Sequence, residues 1–179
     1  MKDSFKLILP NKKYIKSFAR GLNEFRNEES NRVTDNQLKF FSSAKDFPNY
    51  IKKMNESRKG INLSPGRVMQ TTYWAMRGDN FVGILKLRPK LNKMLLSRGG
   101  NIGYSVIPSQ RKKGYATEML KLGLGKAKKL GIKKVLITCL EKNVASRKVI
   151  EANGGILENK IKTEEGVLLR FWVKNSVEN

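Results

Sequence analysis

The chain reads as one α/β domain built on a mixed, mostly antiparallel sheet flanked by helices. Three observations predict this. Its 179 residues, 39% of them apolar, suit a single domain with a sizeable core and no need of disulfide staples. Short extended runs and amphipathic runs alternate along the sequence. One extended run, residues 101–107, is followed by a helical pattern over 115–130 and then a second extended run over 133–140. That is the layout of a crossover between parallel strands.

Taken in order, residues 4–9 form a short edge strand stopped by Pro10. Residues 12–28 carry Tyr14, Ile15, Phe18, Leu22 and Phe25 at the spacing of one helix face. Residues 30–45 lack a period and read as a loop, and 47–54 as a short helix ended near Gly60. Residues 70–77 and 80–88 form a hairpin about Gly78-Asp79. In 101–107, Ile102, Tyr104 and Val106 share one face, and Pro108 ends the run. The helix over 115–130 places Ala116, Met119, Leu120, Gly123, Leu124 and Ala127 at steps of three and four, with Gly131 as its C-terminal cap. Residues 133–140 are apolar on both faces, as a central strand is. A short helix over 144–152 stops at Asn153-Gly154-Gly155, and 156–161 with 167–173 close a last hairpin. The first 65 residues are thus a mainly helical part, and 70–174 hold the sheet.

Charge is the second lead. The chain carries a formal charge of +22 and no histidine. Residues 86–148 alone hold 17 basic and 2 acidic side chains, so the excess is central rather than in a tail. Some of these lysines form an ordinary solvated surface; a subset at an anion site is the sharper expectation. The missing histidine excludes Ser-His-Asp and Cys-His catalysis and histidine-ligated metals. A lone Cys139 excludes an internal disulfide and a cysteine-built zinc site, and in its apolar strand it reads as a packed, inert thiol. No metal is expected. The apolar stretch near the N-terminus is too short for a signal peptide or a membrane span. A cytoplasmic protein with no membrane partner is the expectation.

Chemistry concentrates between residues 105 and 117. After the strand come Arg111, Lys112, Lys113, Gly114, Tyr115, Ala116 and Thr117, opening directly into the long helix. Helix N-terminal amides are unpaired and carry partial positive charge. A glycine lets a ligand approach the backbone, and cations add full charge. Together these make a pyrophosphate cradle. No Gly-Lys-Ser/Thr closes it as in a Walker loop, and no Gly-x-Gly-x-x-Gly dinucleotide fingerprint is present.

Arg111-x-x-Gly114-x-Ala116 in this strand–loop–helix setting resembles the coenzyme A cradle of the GCN5-related N-acetyltransferases (GNAT). Downstream, Asn143 and Ser146, then Val149, Ile150 and Gly154-Gly155, resemble the family's next strand exit and short helix. The likeness covers 70–174 and is loose over the first 65 residues. It lies nearest to bacterial members with the same Gly-x-Ile-Gly-Tyr strand and Asn-Gly-Gly ending.

The resemblance implies a GNAT fold whose strands 101–107 and 133–140 splay apart, and acetyl-coenzyme A as cosubstrate. It implies that backbone groups of Ser105 and Val106 pair with the pantetheine and that amides from Lys112 to Thr117 hold the pyrophosphate. It gives Asn143 the pantetheine, with Ser146 nearby, and the 3′-phosphate to Lys112, Arg147 or Lys148. Many members carry a tyrosine seven residues after that Asn to protonate the thiolate. Here Ile150 stands there. Base and acid candidates are Tyr104, Tyr73, Glu141 and water, with Tyr104 and Glu141 placed first as catalytic residues.

The implied activity is N-acetylation of a primary amine, on a small molecule or a peptide, by direct attack. A homodimer is left open. The competing readings are a basic nucleic-acid-binding module, suggested by the charge, and a coenzyme A sensor without turnover, suggested by Ile150. Trp74, Phe171 and Trp172 read as core or sheet-face residues. Phe40, Phe41 and Phe47 belong either to the core or to the wall of an acceptor pocket.

Overall fold

Period-2 runs pair into two antiparallel sheets. A computed structural model of the chain describes residues 4–28 and 41–175. The first sheet has the order β1-β2-β3-β4, from β1 (Phe5–Ile8), β2 (Thr71–Arg77), β3 (Asn80–Leu87) and β4 (Ile102–Val106). The second has the order β5-β7-β6, from β5 (Lys134–Leu140), β6 (Gly155–Thr163) and β7 (Gly166–Lys174). The helices are α1 (Ile15–Arg26), α2 (Phe47–Lys59), α3 (Lys93–Ser97), α4 (Tyr115–Lys129) and α5 (Val144–Glu151).

Two cores follow from the alternation along β2 and β3. One face of the first sheet packs Trp74, Met76, Phe81 and Ile84 against Phe18, Leu22 and Phe25 of α1 and Phe47, Tyr50 and Met54 of α2. Phe18 stacks on Trp74 with ring centroids 4.0 Å apart, and Trp74 Nε1 donates to the Tyr50 hydroxyl at 3.2 Å. Phe41 and Phe47 are buried in this cluster, so they are core and not pocket wall; Phe40 lies outside the described residues. The other face packs Leu85, Leu87 and Ile102 against Met119 and Leu120 of α4, together with Val135, Ile137 and Phe171 of the second sheet. The amides of Gly131 and Ile132 donate to the Lys128 and Ala127 carbonyls, so α4 is capped where expected.

Helix α2 runs to Lys59 and is capped by Gly60 at φ +72°, the stop expected near Gly60; its last turn is polar, so the apolar period shows only as far as 54. Five-residue α3 was not predicted at all. It is too short for a period and is held by Asn92, whose Oδ1 accepts the Leu95 amide at 2.9 Å. Most of the predicted loop over 30–45 lies outside the described residues. No helix among those described is long and apolar enough to cross a membrane.

The mixed sheet expected from the crossover divides along the β4–β5 boundary. The two strands meet only at their near ends. There the Asn101 amide donates to the Leu136 carbonyl at 2.8 Å, and the Leu136 amide donates to Asn101 Oδ1 at 2.9 Å. A side chain thus supplies one rung of a parallel ladder. Gly100, at φ +66°, permits this approach: a Cβ there would sit 2.2 Å from the Leu136 carbonyl oxygen. Beyond this pin the strands separate.

Candidate active site

Register fixes which backbone groups face the gap. Ile107 and Arg88 donate to the carbonyls of Val82 and Asn101, their direct partners across β3 and β4. Alternation along the ladder then turns the amide and carbonyl of Ser105 toward Ile84 and those of Tyr104 and Val106 toward the gap. Across the gap, the Glu141 amide donates to Val167 and the Asn175 amide to Lys133, which turns Thr138 and Leu140 inward. The Ser105 backbone expected to meet a pantetheine is thus turned away from the gap, and the main-chain groups facing the gap are those of Tyr104 and Val106. Ser105 spends its backbone on β3.

On one side the gap widens into a cavity of about 620 Å³. Tyr104, Val106, Lys112, Gly114, Ala116, Thr117, Asn143 and Ser146 line it. Its far end is the N-terminus of α4. Lys112 and Gly114 have φ of +60° and +79°, the left-handed region, which turns the loop sharply into the helix. Among the described residues the amides of 112–116 have no partner within the chain, whereas Thr117 donates to the Gly114 carbonyl at 3.1 Å. Five open amides result, not the six expected. Tyr115 contributes only its amide, since its ring is buried against Phe5 and its hydroxyl accepts from Arg77.

On the other side lies a smaller cavity of about 280 Å³, lined by Lys86, Arg88, Gly103, Tyr104, Thr138, Cys139 and Ser146 among others. The two cavities share Tyr104, Ser105, Asn143 and Ser146. At this junction the Tyr104 hydroxyl lies 2.9 Å from Ser146 Oγ and 3.3 Å from the Ser146 carbonyl. Burial pushes the Tyr104 phenol well above its ordinary range, with the Ser146 hydrogen bond opposing. A phenol raised in this way is held in its protonated form, so what it offers the junction is an O–H. Asn143 caps α5, its Oδ1 accepting the Ser146 amide at 3.1 Å, so Nδ2 is what it offers a ligand.

The family described as "Acetyltransferase (GNAT) domain" matches residues 22–156. The chain belongs to the GNAT acetyltransferases. Solved structures of the same fold include RimL, a ribosomal L7/L12 alpha-N-protein acetyltransferase in complex with coenzyme A. It is 14% identical, with 96% of this chain and 94% of that one covered and a TM-score of 0.69. The microcin C7 self-immunity acetyltransferase MccE, in complex with acetyl-CoA and AMP, is 15% identical over 96% and 93%, TM-score 0.69. RimJ of Mycobacterium smegmatis, in complex with CoA-disulfide, is 18% identical over 95% and 81%, TM-score 0.71. No curated protein sequence matches the chain.

Several expected roles move within this GNAT site. Glu141 is not at the reacting centre: it pairs with Lys160 at 2.7 Å and lines neither cavity, which removes it as a base. Tyr73 is also away from both, half-buried beneath Lys126. Arg111 lines the larger cavity, but its guanidinium is already engaged. Its Nε donates to the Val106 carbonyl at 3.0 Å, and its two terminal nitrogens grip Glu28 at 2.6 and 2.8 Å. It braces the loop and closes the Val106 carbonyl, which leaves the Val106 amide open. Lys113 folds back onto the Ser109 carbonyl at 2.9 Å. Of the residues named for the 3′-phosphate, Arg147 pairs with Glu151 at 2.8 Å, while Lys112 and Lys148 are exposed.

Ile150 is fully buried in the core and lines neither cavity. Cys139 is buried with its thiol pushed up to about 11 by burial. Iodoacetamide at pH 7.5 is expected to label it far more slowly than a free thiol, because the raised thiol is almost wholly protonated there; mass spectrometry reads the rate.

Proposed function

We propose that this GNAT protein transfers the acetyl group of acetyl-coenzyme A directly to a primary amine at the Tyr104–Ser146 junction. The observation that carries this reading is the meeting of two cavities between splayed strand edges. The larger matches a phosphate-bearing cofactor at one end and a pantetheine along β4, which it would join as an added strand. Tyr104 and Val106 supply the main-chain partners, Asn143 a side-chain partner, and the amides of Lys112–Ala116 the pyrophosphate site. The thioester then falls at the junction, and the smaller cavity brings the amine to its open face.

The neutral amine attacks the thioester carbon and gives a tetrahedral oxyanion with a positively charged nitrogen; that nitrogen gives up its proton to water, the oxyanion collapses, the C–S bond breaks, and the thiolate takes a proton from a donor that water then reprotonates. Tyr104, held protonated by burial and braced by Ser146, is the donor for that proton. No carboxylate lines either cavity among the described residues, and the chain has no histidine. The amine therefore sheds its proton to water before attack, helped by a cationic surrounding that disfavours the ammonium form.

Tyr104→Phe is expected to lower kcat by roughly ten- to a hundredfold, at the weak end for an acid because a thiolate leaves readily. Its acetyl-coenzyme A affinity should stay within about twofold. For the wild type, kcat/KM should rise with pH as the amine deprotonates. No falling limb should appear below about pH 10, since the acid's own titration is pushed higher still. Thiol release over a panel of primary amines, with the acetylated product identified by mass, tests the reading. Intersecting initial-rate lines and no acetyl-enzyme are expected. Acetyl-coenzyme A binding without release on any amine, or an acetylated protein intermediate, overturns it.

A further inference from the structure

The smaller cavity carries information about the acceptor that the junction does not. Lys86 and Arg88 alternate with Leu85 and Leu87 along the end of β3, so both cations stand on the face opposite the α4 core. Both line the cavity, and among the described residues no Asp or Glu does. Arg88 is half-buried, and one terminal nitrogen donates to the Gly100 carbonyl at 3.1 Å. No carboxylate pairs with it among the described residues. Desolvation, with Arg67 nearby, holds its pKa below the ordinary value. A guanidinium kept out of water without a counter-ion is costly, and a ligand oxyanion would relieve that cost.

Shape agrees with charge. Gly103 stands directly across from Lys86 in the β3–β4 register, and a Cβ there would first meet Arg88 Nη1 at 3.9 Å. The missing side chain leaves the space in front of the guanidinium open. That guanidinium is planar and forked, which suits carboxylate and phosphate oxygens. A volume of about 280 Å³ holds an amino acid or the first residue or two of a peptide.

The geometry points to an acceptor amine that carries an oxyanion within a few bonds of its nitrogen, seated on Arg88 with Lys86 beside it. This rests on the acetyl-transfer reading for the position of the amine, and it names the acceptor class. The oxyanion fixes the substrate in the smaller cavity while the amine reaches the thioester at the Tyr104–Ser146 junction.

The test uses the full-length protein saturated with coenzyme A and calorimetry, so that it needs no turnover. Probes are an N-terminally free, C-terminally amidated Ser-Asp-Glu peptide, its equally amidated Ser-Gln-Gln counterpart and O-phosphoethanolamine. The Ser-Asp-Glu peptide should bind at least about tenfold more tightly than Ser-Gln-Gln. Comparison with O-phosphoethanolamine tells carboxylate from phosphate preference. Arg88→Gln should erase the difference, Arg88→Lys should keep part of it, and coenzyme A affinity should not move in either. Gly103→Val, at an ordinary strand conformation, should block both peptides and leave coenzyme A binding intact. Equal affinity for acidic and neutral peptides, or equal loss of both in Arg88→Gln, overturns the inference. Failure of thiol release with these amines while the acidic preference persists overturns the catalytic reading alone.

Discussion

Gly114→Val is expected to weaken acetyl-coenzyme A binding by about a hundredfold, close to 2.7 kcal/mol, while leaving a folded protein. Gly114 holds φ +79° immediately before α4, a conformation in which a β-branched residue is strained by roughly 1–2 kcal/mol. Yet a Cβ at this position meets no atom of the protein within 4 Å. The substitution therefore harms the fold only through the backbone. What a side chain would occupy is the space over the open amides of Lys112–Ala116, where the pyrophosphate is placed. Two variants separate these effects. Gly114→Ala carries most of the backbone strain with little bulk, and Gly114→Val carries both. Calorimetry with acetyl-coenzyme A should show a modest loss for alanine and a large one for valine, with similar melting temperatures for the two. Wild-type affinity in Gly114→Val would place the pyrophosphate elsewhere. Destabilisation that tracked side-chain size would show that protein atoms, not a ligand, fill the space.

The cradle was legible in the sequence because its chemistry is carried by backbone. A strand, a glycine and a helix start are local features, and they put open amides at one spot whatever the rest of the chain does. The strands and long helices were legible for a similar reason: their periods show without knowledge of partners. What was hidden depends on partners far apart in sequence. Arg111 looked like a cradle charge, but Glu28, 83 residues earlier, takes its guanidinium. Glu141 looked like a base near a strand end, but Lys160 on β6 takes its carboxylate. Ser105 and Val106 differ only in which neighbour each faces, and that parity is set by the β3–β4 register. Ile150 was placed at a reacting position by counting, while the helix turns it into the core. The cations of the smaller cavity left a weaker trace. Lys86 and Arg88 alternate with leucines, which puts two charges on one face of a strand otherwise buried, but nothing in the spacing singled them out, because the cavity they line forms only where Gly103 stands across from Lys86.

Asn101 is the other hidden residue, and replacing it should produce the largest loss of stability. Its side chain is buried, accepts from the Leu136 amide at 2.9 Å and donates to the Arg88 carbonyl at 2.9 Å. Both partners are main-chain groups, one on β5 and one just past the end of β3. Removing the carboxamide leaves the buried Leu136 amide and the part-buried Arg88 carbonyl unpaired, at roughly 1–3 kcal/mol for the first and less for the second. For Asn101→Ala a loss of about 2–4 kcal/mol is expected, a large share of a total of about 5–15 kcal/mol. The melting temperature should fall by about 5–15 °C at this chain length. Asn101→Leu distinguishes the cause. Leucine restores volume but no hydrogen bond, so it should be as destabilising as alanine if the paired backbone matters, and milder if packing does. The seam also sets where β4 and β5 begin to part, and hence the distance from Tyr104 across to Thr138 and Ser146. Assayed well below its melting point, Asn101→Leu should lose kcat by more than it loses acetyl-coenzyme A affinity, because the open amides of the cradle lie at the far end of the larger cavity. Full kcat in a destabilised Asn101→Leu would mean that the gap is held by the two sheets themselves and not by this one side chain.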